Sequence, residues 1–303
     1  MLNIMNEKCF HLFTGKGGTG KTTLSAAAAI YYAKKKKKTL VASIDPAHSL
    51  SDCFGMHLGS EPTEVTNGLF GIEIDAKKAL KRDRFLIKYT HDILKCLGIH
   101  DMDVLETLPG IDAVMAYDML VEFIENENYD CIVLDTAPSG HALRFLSIPG
   151  HIDDWLKKSF RMGRQVSSLL SLAKKIKIEG PSYRHEHEER NRMSRIYEFL
   201  INPKYLSISV VMLPEKMCIS ETERDIIALL KYGFPVKEII INQIFPESND
   251  EFLKNRGDIQ KKNVDWIKKN FSHLIIKEVP YLKSEIIGIK ELEKINKYYF
   301  MSG

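Results

Sequence analysis

Gly15-Lys16-Gly17-Gly18-Thr19-Gly20-Lys21-Thr22 is the stretch on which the reading of the whole chain turns. It fits G-x-x-x-x-G-K-[ST], a loop pattern that cradles nucleotide phosphates, and it has the neighbours that pattern needs. Cys9-Phe10-His11-Leu12-Phe13-Thr14 ahead of it is short, apolar and aromatic, as a buried strand is. Lys21 to Ile30 behind it reads as the start of an alanine-rich helix. Glycines let successive backbone N–H groups turn inward, and the helix N-terminus adds partial positive charge. Lys21 is then placed to neutralise the β- and γ-phosphates, and the Thr22 hydroxyl to hold Mg²⁺.

Around this loop the chain alternates. Apolar, β-branched runs recur at Leu40–Ile44, Leu69–Ile74, Cys131–Leu134, Leu206–Leu213, Val236–Ile241 and Leu274–Ile276. With the first strand they make about seven, separated by helix-length stretches. That is the pattern of an α/β fold whose mostly parallel sheet is covered by helices on both faces. No repeat and no long linker interrupts it, so residues 1–303 read as a single domain with a helical excursion over about 150–201.

Composition excludes several classes. The chain is 44% hydrophobic and 27% charged, which provides a core of ordinary size. A net charge of +3 argues for no nucleic-acid partner, and the lysine run Lys34–Lys38 reads as a solvated loop after the first helix. The five cysteines form no C-x-x-C pair, against both a disulfide framework and a Cys-paired zinc site. Cys9 and Cys131 read as small core residues of strands. No apolar run approaches the ~18 residues of a membrane span. Met1–Lys8 leads into the first strand without a leader pattern, so the expected location is the cytoplasm.

Two acidic strand ends complete the pattern. Ser43-Ile44-Asp45-Pro46 ends a strand, because proline cannot continue the ladder. Ligands in such sheets bind beyond the carboxyl ends of strands, which puts Asp45 on the edge of the phosphate loop. A carboxylate there can orient or deprotonate the attacking water; capping of the following turn is the simpler alternative. Cys131-Ile132-Val133-Leu134-Asp135 reads as a Walker-B strand whose Asp135 helps hold Mg²⁺, the latter through water. Thr136 to His141 follows as a loop suited to shifting when the γ-phosphate leaves.

Taken together, these motifs resemble the ArsA-type ATPases, which include the GET-pathway ATPases that target tail-anchored membrane proteins. Gly15 through Thr23 looks like their deviant Walker A loop, Asp45-Pro46-Ala47-His48-Ser49-Leu50-Ser51-Asp52 like their first switch, and Asp135 through His141 like their second. Leu213-Pro214-Glu215, Ile241-Asn242-Gln243 and Pro280-Tyr281-Leu282 also match. The resemblance implies a Mg²⁺-dependent ATPase acting as a homodimer, with Gly15, Lys16, Gly17, Gly18, Thr19, Gly20, Lys21, Thr22 and Thr23 around the phosphates. It implies that Lys16 reaches the partner subunit's nucleotide, that Asp45 is the catalytic carboxylate alongside Lys16 and Lys21, and that Thr22 and Asp135 serve the metal. It further implies Asn242 and Pro280 at the adenine and Glu215 beside the nucleotide across the interface. His48 and His141 lie in the switch loops and are assigned no proton transfer.

The departures are as informative. Targeting members carry a zinc-sharing C-x-x-C where this chain reads Asn249-Asp250-Glu251-Phe252-Leu253-Lys254-Asn255-Arg256, so no zinc site is expected. Metalloid-pump members cluster cysteines, and Ile111-Asp112 stands here instead; carboxylates do not suit a thiophilic metalloid. Gly150–Ile178 carries apolar residues at helical spacing, either packing on its own core or forming a groove for an apolar helix, with contributions from about 77–126. His185-Glu186-His187 puts two histidines on different sides of a helix and makes a poor metal site. The partner expected is therefore a hydrophobic helix of a membrane-protein client. The alternatives are the membrane subunit of an arsenite or anion pump, and a ParA/MinD-like positioning switch.

Overall fold

A computed structural model describes residues 8–45, 49–74, 121–125, 128–136 and 195–300. The chain divides into two compact units: Met1–Asp75 with Asn126–Leu143 and Leu200–Gly303, and Ala76–Glu125 with Arg144–Phe199. Of the second, residues 121–125 and 195–199 are described and are helical. The apolar excursion read at 150–178 lies outside the described residues, as do His48, His141 and the histidine pair near 185.

The first unit is built on one sheet. Its strands are β1 (Cys9–Gly15), β2 (Thr39–Ser43), β3 (Thr63–Thr66), β4 (Leu69–Glu73), β5 (Cys131–Asp135), β6 (Leu206–Met212), β7 (Val236–Ile244) and β8 (Ile275–Pro280). They lie in the order β3-β4-β2-β5-β1-β6-β7-β8, parallel throughout except for β3 against β4. All seven strands read from the sequence are present, β7 and β8 running further than expected. The eighth, β3, is a short edge strand of half-exposed residues joined to β4 through Asn67-Gly68. Gly68 sits at φ 76, the positive angle that an Asn-Gly hairpin turn demands. That dipeptide was the available signal for β3; Thr63-Glu64-Val65-Thr66 is too polar to register as an apolar run.

Among the described residues of this unit, five helices cover the sheet: α1 (Lys21–Lys34), α2 (Ser49–Phe54), α3 (Lys216–Lys231), α4 (Glu251–Asn270) and α5 (Ile289–Tyr299). α1 is buried from Leu24 through Ile30 without a polar face, because α2 and α5 flank it above the sheet. Four consecutive alanines, Ala26–Ala29, permit that close approach, and all four are fully buried. One apolar cluster joins α1, α2 and α5 to Phe13, Val41, Val133, Val211 and Ile240 of the central strands. The buried residues of α3 and α4 fall outside it and pack on β6 and β7. α3 does so with Cys218, Ile219, Thr222, Ile226 and Leu229, one face of a 3.6-residue period.

Register fixes what matters for function. β1 pairs with β5 so that Phe13 stands opposite Asp135, and β2 pairs with β5 so that Ser43 does. The loop after β1 and the ends of β2 and β5 thus share one edge, the carboxyl edge, where α/β sheets bind ligands.

Candidate nucleotide site

Two glycines make the loop. Gly15 ends β1 at φ 146, and a Cβ there would lie 2.1 Å from the Val211 carbonyl oxygen. Gly20 enters α1 at φ 92, where a Cβ would lie 2.4 Å from the Asn242 side-chain nitrogen. Neither position accepts a side chain. Between them the loop closes on the Lys16 carbonyl, which accepts from the Thr19 hydroxyl at 2.8 Å and the Lys21 ammonium at 3.2 Å. Gly17 and Gly18 are exposed at its tip.

Lys21 is buried, and burial lowers its pKa; the nearby carboxylates of Asp135 and Asp45 oppose that shift. Asp135 is fully buried. Its Oδ2 accepts from Thr22 Oγ1 at 2.9 Å and from Ser43 Oγ at 3.0 Å, while Oδ1 is buried without a hydrogen-bond partner. Burial pushes the Asp135 pKa up to about 6, against the pull of the two hydroxyls and Lys21. A sequestered carboxylate oxygen with no donor, beside a threonine hydroxyl, is the chemistry a hard, oxygen-seeking cation completes. Among the described residues no group of three His, Cys, Asp or Glu assembles to hold a metal. Mg²⁺ needs none, because it is typically bound by one or two carboxylates with phosphate and water.

Asp45 is partly exposed, two residues beyond β2, and its backbone N–H donates to Ser43 Oγ at 3.3 Å. Ser43 thereby ties both acidic strand ends together. The segment after Asp45 is fastened as well: Ser49 Oγ lies 3.1 Å from Thr22 Oγ1, and Glu73 accepts from the backbone and the hydroxyl of Ser51, both at 2.7 Å. Ser43, Ser49, Ser51 and Glu73 were given no role from the sequence; Ser43, Ser49 and Ser51 were quoted there only as parts of the stretches around Asp45.

Asn242 does something the sequence reading did not foresee. Its amide nitrogen donates to the Thr19 carbonyl at 2.8 Å, so it braces the phosphate loop from β7. β7 is irregular here: register against β8 shifts between Ile241 and Ile244, and Gln243 takes φ 58. Gln260 of α4 props this bulge, donating to the Gln243 carbonyl at 3.2 Å and accepting from Phe245 N–H at 2.8 Å. Positive φ at a non-glycine residue is a strained choice that tends to accompany a functional site. Beside it opens a cavity of about 390 Å³, lined by Gly20, Thr23, Asn242, Gln243, Pro280 and Tyr281 among others. Its volume and its mixed polar and apolar wall suit a flat heterocycle.

Lys16 and Glu215 lie apart from this cluster. The Lys16 ammonium meets Glu221 Oε2 of α3 at 2.9 Å, and that bond holds its pKa above the ordinary range. Glu215 sits exposed before α3, 3.4 Å from Arg256 Nη2.

A glycine loop feeding a central helix, an acidic strand end hydrogen-bonded to that helix's first turn, and a cavity beside the loop define a P-loop nucleoside triphosphatase. Comparison with known proteins narrows this. The chain belongs to the anion-transporting ATPase family, ArsA ATPases, whose model matches residues 8–300. It is 36% identical to the putative arsenical pump-driving ATPase 2 of Aquifex aeolicus, over 94% of this chain and 97% of that one. It is 32% identical to the ATPase ASNA1 homolog of Dictyostelium discoideum, covering 96% and 90% respectively. To the ATPase GET3 of Kluyveromyces lactis it is 31% identical, covering 94% and 87%. Among the described residues no helix is long and apolar enough to cross a membrane.

Proposed function

We propose that the chain hydrolyses ATP as a Mg²⁺-dependent homodimer and uses that cycle to hold and release hydrophobic segments of membrane proteins. The observation that carries the hydrolytic part is the convergence of Lys21, Thr22, Asp135 and Asp45 on one sheet edge. The loop N–H groups and Lys21 bind the phosphates, and Asn242 and Pro280 flank the base. Bound Mg²⁺, held by Thr22 and approached by Asp135, would supply charge neutralisation at the β- and γ-phosphates. Asp45 orients the attacking water and receives its proton. Lys16 leaves Glu221 and reaches the partner subunit's nucleotide, adding positive charge in the transition state as an arginine finger does. Glu215 faces the nucleotide from the partner side.

The client part follows from the resemblance to targeting ATPases, with the excursion at about 150–201, aided by 77–126, as the binding surface of a single functional domain. Its test is retention of a tail-anchored helix in solution. Wild type with Mg²⁺ATP, and Asp45→Asn more durably, should keep the helix soluble. If neither does, the client reading is wrong. The relatives named as arsenical pump-driving ATPases support a second reading, the cytoplasmic motor of an anion pump. Arsenite-stimulated hydrolysis lost on cysteine substitution would favour it. Solution mass with and without Mg²⁺ and a non-hydrolysable nucleotide tests the dimer directly: a monomer in both conditions would remove Lys16's role.

A further inference from the structure

At the amino edge of the sheet, the end away from the phosphate loop, two thiols stand side by side. β1 begins at Cys9 and β5 at Cys131, and the parallel register pairs those two residues directly. Neighbouring strands lie ~4.8 Å apart with paired side chains on one face, inside the ~4.4–6.8 Å Cα separation that disulfides span. Both residues carry free thiols. Cys131 is fully buried and Cys9 partly exposed, so a small oxidant meets Cys9 first.

We infer that Cys9 and Cys131 are a peroxide-oxidisable pair, Cys9 attacking and Cys131 resolving, that closes to a disulfide joining β1 to β5. The surroundings favour Cys9 as the nucleophile. The neighbouring Cys131 thiol holds the Cys9 thiol below the ordinary range; burial opposes this, while His11, Lys37 and the Tyr32 hydroxyl add to it. Cys131 is pushed the other way by the same pairing and by burial. Thiolate character and a cationic neighbour are what make a cysteine react. Cys53 and Cys218 have the opposite setting, since burial raises both, Cys53 to about 11.

The chemistry closes with hydrogen peroxide as oxidant. The Cys9 thiolate sulfur attacks one peroxide oxygen, the O–O bond breaks, and the departing hydroxide takes a proton to become water. Cys131 sulfur then attacks the Cys9 sulfenic sulfur, the S–O bond breaks, and the leaving hydroxide takes the Cys131 proton. Two thiols lose two electrons, and one peroxide becomes two waters.

The experiment uses the full reduced chain without nucleotide, so it succeeds or fails independently of the hydrolytic reading. After brief exposure to hydrogen peroxide, free thiols are alkylated and the digest is mapped by mass spectrometry. Two of the five cysteines should become unavailable, a Cys9–Cys131 cross-linked peptide should appear two hydrogens lighter than its parts, and dithiothreitol should reverse both. In Cys131→Ala, Cys9 should instead be trapped by dimedone as sulfenic acid. The proposal is overturned if Cys9 reacts no faster than Cys53 or Cys218. It is overturned equally if wild-type Cys9 runs on to sulfinic acid, or pairs with any other cysteine.

Discussion

Asp135 and Glu238 are both buried carboxylates of this sheet, and the sheet treats them in opposite ways. Asp135 has one oxygen with two hydroxyl donors and another with none, and its pKa is driven up to about 6 by burial. Glu238 stands opposite Ser209 on the neighbouring strand, and the His11 side chain, whose own register partner is Ser207, reaches the Ser209 hydroxyl from β1. It accepts from the Ser209 and Tyr299 hydroxyls, with His11 Nε2 at 3.5 Å. Burial alone would raise its pKa, but His11 and the two hydroxyls outweigh that and hold it at about 2. A carboxylate whose partners are all supplied by its own chain is structural. One left half-partnered beside a phosphate loop is kept for something that arrives.

The largest effect should separate reaction from architecture. Asp45→Asn should lower ATP turnover by about 10²–10⁴-fold, the usual worth of a positioned base, while nucleotide affinity in equilibrium dialysis stays near wild type. Equal loss of both would move Asp45 from chemistry to folding. Next, Glu238→Gln should cost about 3 kcal/mol in urea unfolding at pH 7, because it strips the charge from a set of buried donors. It should leave nucleotide affinity intact.

The two carboxylates must also give opposite pH signatures. Glu238, depressed when folded, contributes stability above its unfolded pKa of 4.5 that is lost as pH falls toward about 2. Asp135, raised when folded, contributes stability below its unfolded 3.8 that is lost as pH rises through about 6. Asp135→Asn without nucleotide or Mg²⁺ should therefore be more stable than wild type at pH 7.5, by roughly 3 kcal/mol at ~1.4 kcal/mol per pKa unit, and should lose most of that margin near pH 4. An unchanged margin across that range would mean Asp135 is not perturbed. The smallest effect is expected at the rim, where Arg256→Ala breaks only the exposed pair with Glu215 and should shift stability by less than about 0.5 kcal/mol.

Much of the reactive cluster was legible because its backbone demands are severe. Gly15 and Gly20 stand where no Cβ fits, and Asp45 and Asp135 each end a run of strand residues, so one spacing rule found them. The structural network was not legible. His11, Ser209, Glu238 and Tyr299 are far apart in the chain and meet only through strand order and the packing of α5, which periodicity does not specify. Glu221 was invisible as the holder of Lys16 for the same reason: it lies on α3, and only packing brings α3 to the loop. Asn242 was found by resemblance and given to the base, but its bond to the Thr19 carbonyl depends on a bulge in β7 that no residue pattern announces.

That bond has a consequence for selectivity. A single amide both borders the cavity proposed for the base and fixes the phosphate loop, so in that reading the two halves of a nucleotide are not sensed separately. Replacing Asn242 with alanine should weaken pyrophosphate, which carries no base at all, along with ATP. Discrimination among bases would then show in how well the phosphates are aligned for cleavage and not only in how tightly each nucleotide is held.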